Sequence, residues 1–120
     1  MTIYGELLKL YEQCPQRSLS DDLAHYMEHG YVHVGPDFAL IGKREGDGWF
    51  VHCAIGAGAL DKFWQLMPYH LPHIGWAREA RGRQEIVWHR TETIKRLIDY
   101  ARRHHDKFEV RPGLSTPVRS

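Results

Sequence analysis

Nine histidines and two cysteines in a chain of 120 residues are the first groups to weigh as chemistry. His25-Tyr26-Met27-Glu28-His29 reads H-x-x-E-H, the pattern of inverted zinc peptidases, and residues four apart on a helix share a face and could hold one zinc ion. At about 100° per residue, however, His25 and His29 fall opposite the Leu19, Leu23, Tyr26 and Met27 stripe, and His29 adjoins Gly30, a helix stop. They are expected to face water, and no metal is expected. His70 and His73 flank Leu71-Pro72 without a carboxylate or thiol to complete a set, so they read as loop polarity. His52 and Cys53 are neighbours in a strand pattern, where successive side chains point to opposite faces, so they are expected to diverge rather than act as a nucleophile pair. Cys14 and Cys53 show no metal spacing and read as reduced, structural thiols.

Two further constellations could bind anions. Arg78, Arg81, Arg83 and Arg90 lie on a hairpin pattern that also carries Trp76 and Trp88. Trp76 shares parity with Arg78, and Trp88 with Arg90, so each pair falls on one face and could meet nucleic acid by phosphate pairing and stacking. Gly56-Ala57-Gly58 stands between a strand pattern, Trp49 to Ile55, and a helix pattern running to Met67. Free N–H groups at such a helix start attract anions. The same turn is also how a chain passes from a sheet to a covering helix, and Asp61 in the first helical turn would repel a phosphate.

The elements that must carry these groups come from period and punctuation. Thr2 can cap a helix over residues 2 to 13, and Pro15 ends the run. Ser18 or Ser20 caps a second helix that Gly30 stops, with Leu19, Leu23, Tyr26 and Met27 as its apolar face. The period then becomes two. Strands are predicted at Tyr31 to Val34, Phe38 to Lys43 and Trp49 to Ile55, with turns at Gly35-Pro36-Asp37 and Gly46-Asp47-Gly48. The third is apolar on both faces apart from His52, which predicts a central strand covered on both sides. Leu60, Phe63, Trp64 and Met67 form the stripe of a third helix ended by Pro68. A linker, Tyr69 to Pro72, leads to strands at His73 to Arg78 and Glu85 to His89 around an Arg81-Gly82-Arg83 tip. Thr91 or Thr93 caps a last helix with Ile94, Leu97, Ile98 and Ala101 inward. The predicted fold is α+β: an antiparallel-dominated sheet of about five strands, with two N-terminal helices, one central helix and one C-terminal helix packed on it. Residues 1–108 form one domain, and 109–120, rich in Pro, Gly, Ser and Thr, form a tail that is expected to fray.

This order of elements, with Cys53-Ala54-Ile55-Gly56-Ala57-Gly58 at its centre, resembles the core of the GNAT acetyltransferases over about Tyr31 to Tyr100. Both glycines of the family's Q/R-x-x-G-x-G/A loop keep their spacing, and Leu60 follows as in many members; Cys53 stands where the family has Gln or Arg. The resemblance implies a cleft between splayed strands and acetyl-CoA as cofactor. It places the pyrophosphate on Gly56, Ala57 and Gly58 and makes Tyr100 the counterpart of the family's general acid. The implied role is that of a small GNAT-like protein that binds acyl-CoA without strong catalysis. Tyr11 to Arg17 and His29 to Val32 also resemble the N-terminal part of small uncharacterised bacterial proteins, a likeness that implies no activity.

Composition bounds the rest. No apolar run approaches the roughly 20 residues of a membrane span, and no signal-peptide core is present, so no membrane contact and a cytoplasmic location are expected. Residues 1–77 carry a formal charge of −4 and residues 78–120 one of +5. That asymmetry leaves two other roles open: an interaction protein, such as a homodimer joined through charge or exposed aromatics, and nucleic-acid binding by the basic C-terminal third.

Overall fold

Two N-terminal helices open the structure, a computed structural model that describes residues 2–66, 68 and 70–112. Met67 and Tyr69, which the sequence pattern assigns to a helix stripe and a linker, and residues 113–120 of the tail lie outside the described residues. Helix α1 (Ile3–Glu12) starts where Thr2 Oγ1 accepts the Gly5 N–H at 3.0 Å. Helix α2 (Leu19–His29) starts where Ser18 Oγ accepts the Asp21 N–H at 3.3 Å, and Gly30 ends it. Strands β1 (Tyr31–Val34), β2 (Ala39–Glu45) and β3 (Gly48–Ile55) come next, then helix α3 (Ala59–Leu66), strands β4 (His73–Ala80) and β5 (Arg83–Arg90), and helix α4 (Thr91–Arg103).

The five strands form one sheet in chain order, β1-β2-β3-β4-β5. Every neighbour pair is antiparallel except β3 and β4, which α3 joins as a parallel crossover. The fold is α+β, as the pattern predicts, and β3 is central. On one face α3 and α4 bury Leu60, Phe63, Ile94 and Ile98 against Leu40, Val51, Ala54 and Ile74. On the other, α1 and α2 bury Ile3, Leu7, Tyr11, Leu19 and Tyr26 against Ala39, Ile41, Phe50, Cys53 and Ile55.

The structure corrects three side-chain assignments. Met27 is 72% exposed and Leu97 57% exposed, because each lies 100° to the side of the residue that anchors its helix, Tyr26 and Ile98. Thr91 does not cap α4. Arg90 holds the cap position without a side-chain bond, and Thr91, the first helical residue, is buried and donates its hydroxyl to the Leu71 carbonyl.

Strand β3 carries one irregularity. The β2–β3 register passes from Ile41↔Cys53 to Gly42↔Val51, so His52 has no partner. A bulge of this kind bends the strand and increases its twist. It also breaks alternation. His52 and Cys53 both face α1 and α2, contrary to the divergence that strict period two predicts. The β3–β4 pairing runs from Gly48↔His73 to Val51↔Trp76 and stops where the bulge begins. Beyond that point β4 pairs with β5 alone, and the C-terminal half of β3 needs another partner.

The chain's own C-terminal segment supplies it. α4 ends in a Schellman reversal, with the Asp106 N–H on the Ala101 carbonyl at 2.9 Å and His105 at a φ of 55°. The segment then runs back along β3, where Ala54 and Val110 exchange two backbone hydrogen bonds of 2.8 and 2.7 Å. Phe108 packs on Phe63 and Trp76, and Val110 and Pro112 are buried. Residues 109–112, whose composition predicts a fraying tail, are thus part of the packed structure, because the bulge leaves an edge they complete. His105 occupies a left-handed position that costs a β-carbon roughly 1–2 kcal/mol. His105→Gly is expected to raise stability by about 1 kcal/mol, read from urea denaturation.

Candidate functional site

A cavity of about 810 Å³ opens at the C-terminal end of β3, beside the returning segment. Its walls include Ile55, Gly56, Ala57 and Leu60 from the β3–α3 junction, Lys9 and Leu10 from α1, and Phe108 from the returning segment. Crevices at the carboxyl ends of diverging strands are where open sheets take up ligands. Among the described residues, the cavity rim carries acidic and basic residues in equal number, Glu6, Asp61, Asp106 and Glu109 against Lys9, Arg102, Lys107 and Arg111. Arg102 holds Asp61 at 2.9 Å and lies 4.9 Å over the Trp64 ring, and Glu109 holds both Lys107 and Arg111. The hydrogen bond from Arg111 and the charges of Arg111 and Lys107 keep the Glu109 carboxyl below its ordinary range despite partial burial.

The glycine turn has a packing reason that the sequence does not reveal. Gly56 has a φ of +98°, and a β-carbon there would stand 2.3 Å from the Asp37 carbonyl oxygen and 2.8 Å from the Phe38 α-carbon. At Gly58 a β-carbon would stand 2.6 Å from the Asp37 carboxylate, and the Gly58 N–H is spent on the Asp37 carbonyl at 3.2 Å. The β1–β2 turn therefore lies over this junction. Asp37 and Asp61 both bring negative charge to it, which leaves Gly56 and Ala57, not Gly58, as the backbone that faces the cavity. Tyr100 is 58% exposed, stacks on His104 at 3.9 Å between centroids, and does not line the cavity.

A second constellation, which sequence reasoning missed, lies on the other face of β3. Asp22 Oδ2 accepts the Tyr11 hydroxyl at 2.7 Å and the Arg17 Nε–H at 3.1 Å, and stands 3.4 Å from His52 Nε2. Tyr11 Oη also lies 2.8 Å from His52 Nε2. Since the single hydroxyl proton of Tyr11 goes to the carboxylate, His52 must donate from Nε2, and neutral imidazole then carries its proton there. Tyr26 stacks on the imidazole at 4.6 Å. Burial would raise Asp22, but the hydrogen bonds from His52 and Tyr11 and the charge of Arg17 overcome it and hold the carboxyl at about 2. Burial pushes His52 down, against the pull of Asp22, so the ring stays neutral. Desolvation and the bond to Asp22 push the Tyr11 phenol far up. With His52 2% exposed, this network has no room for a substrate and acts as a staple of α1, α2 and β3. The visible signal is His52 itself, the one polar residue in an apolar strand.

The remaining sequence candidates separate. His25 meets Lys43 Nζ at 3.0 Å and is half-buried, while His29 is exposed. Among the described residues, no group of three or more His, Cys, Asp or Glu could hold a metal ion. Burial pushes the Cys53 thiol up to about 12, which leaves it inert as a nucleophile. Trp76 and Trp88 pair with Val87 and Gly75 respectively and so fall on opposite faces of the hairpin, where no single stacking platform joins them. No helix among the described residues is long and apolar enough to cross a membrane. The fold and cleft define an α+β protein with a split central sheet. Compared with protein-family models, curated proteins and solved structures, the chain gives no match.

Proposed function

We propose that the protein is a small GNAT-like binder of acyl-CoA-type ligands, with the cleft beside β3 as its site. The observation that carries this reading is the cavity at the C-terminal end of β3, walled by Gly56 and Ala57 on one side and by the returning segment that fills the gap between β3 and β4 on the other. The ligand's phosphates would lie against the Gly56–Ala57 backbone and compete with Asp61 and Glu109 for Arg102, Lys107 and Arg111, with Lys9 as a further cation on the rim, and its acyl arm would run toward Phe108. The position of Tyr100, outside the cavity, supports binding rather than acyl transfer.

A thermal-shift titration with acetyl-CoA tests it. At 100 times the dissociation constant the ligand adds roughly 2.7 kcal/mol of stability. Lys9→Glu with Lys107→Glu, both at exposed sites, is expected to weaken binding about tenfold, measured relative to each protein's own ligand-free melting temperature. An absence of any shift at millimolar acetyl-CoA removes the reading.

A further inference from the structure

Strand β5 is the outermost strand of the sheet, and no described element pairs with its free edge. It is eight residues long, whereas the opposite edge strand, β1, has four. On the hairpin face turned away from α3 and α4, the cluster that α1 and α2 bury draws only on β1 to β3, and α1 comes near the hairpin only at Ala77, Arg78 and Gln84, through Leu10 and Gln13. Trp88 lies flat on this bare face. A β-carbon on Gly48 or Gly75 would stand 2.6 or 2.7 Å from its ring, so both positions leave the indole room to settle on the sheet. Even so, Trp88 remains 39% exposed, and Ile86 beside it 46%. A long, unpaired edge bordered by exposed apolar side chains is a template for another strand.

We propose that the partner is a second copy of this chain, paired antiparallel through β5 about a two-fold axis at Val87. An axis perpendicular to the sheet keeps each face continuous, so paired residues must share parity. Centred on Val87, the register sets Ile86 against the partner's Trp88, Glu85 against the partner's His89 and Gln84 against the partner's Arg90. Each is an apolar or a complementary polar pair. The neighbouring allowed registers lose this match. Centring on Ile86 opposes Gln84 to Trp88 and Glu85 to Val87, and centring on Trp88 opposes Ile86 to Arg90. The Val87 register joins the two Ile86 and two Trp88 side chains into one band across the bare faces.

Cysteine cross-linking tests the register, and sedimentation tests the state. Cys14 and Cys53 are both buried, so an introduced thiol dominates the chemistry. Under mild oxidation Val87→Cys, at the axis, is expected to yield a disulfide-linked dimer, and Glu85→Cys, offset from its own copy, is expected to remain monomeric on a non-reducing gel. Wild type is expected to sediment as a dimer at tens of micromolar, and Ile86→Lys to weaken the dimer at least a hundredfold with an unchanged circular dichroism spectrum. A wild-type monomer at 200 μM, whether or not the edge takes another chain, overturns the proposal. So does a dimer that survives Ile86→Lys, or a Glu85→Cys variant that cross-links as readily as Val87→Cys.

Discussion

Replacing Asp22 with alanine is expected to lower the unfolding free energy by about 3 kcal/mol and the melting temperature by roughly 10 °C. The carboxylate serves Tyr11, Arg17 and His52 at once, from three different segments. Without it, a buried phenol loses its acceptor, and a guanidinium whose side chain is 4% exposed and a buried imidazole each lose a charged partner. Tyr11→Phe, which leaves the carboxylate and its cation together, is expected to cost nearer 1 kcal/mol. The two changes act on one network, so the double variant should fall short of their sum. Acid unfolding should show the same network in two steps. His52 is depressed in the folded state, so below about 6.5 the unfolded chain binds the extra proton and stability falls as pH drops toward the folded value. Asp22 is held at about 2 against an ordinary 3.8, so its contribution is present above 3.8 and is lost between there and 2. That second loss is on the order of 2 kcal/mol. Urea denaturation at pH 7.5, 5.5 and 3 reads both steps. His52→Gln should remove the first and Asp22→Asn the second.

Gly56→Ala is expected to cost about 3 kcal/mol or more, with or without ligand. Two penalties add: a left-handed backbone angle, and a β-carbon 2.3 Å from a carbonyl in a packed turn that has little room to retreat. Gly58→Ala should cost less, near 1 kcal/mol, because the atoms it meets belong to the Asp37 carboxylate, which can swing away. Gly46→Ala is the control. It shares a positive φ of 59° but meets nothing within 4 Å, so its loss measures backbone strain alone, about 1 kcal/mol. Chemical denaturation of the three variants checks the order. If Gly56→Ala is no worse than Gly46→Ala, the tight approach of Asp37 and Phe38 is not what the glycine serves.

How far the sequence carries the fold is clearest at β3. Its apolar run, interrupted only at His52, identifies the central strand, because a strand buried on both faces has no reason to alternate. The same run hides the bulge. A one-residue insertion among residues buried on both faces changes which face each one takes without changing the apolar letters around it, so alternation wrongly sets His52 against Cys53. The hidden bulge also conceals the polar network, whose members Tyr11, Asp22 and His52 come together only through tertiary packing. Residues 109–112 show the complementary error. Pro112 and Gly113 look like tail chemistry, and local composition carries no sign that an edge of β3 waits for Val110. The glycines of the β3–α3 turn are legible as a turn. That Asp37 closes over them depends on how the β1–β2 turn folds across the sheet, which no local pattern encodes.

The pairing of Ala54 with Val110 also sets an order of events during synthesis. β3 is synthesised several seconds before residue 110, at elongation rates of about 5–20 residues per second. Until then the middle strand of the sheet presents half of one edge, with its apolar flanks, to water or to other nascent chains. A chain cut before residue 107 keeps that edge unpaired and is expected to offer it to other chains.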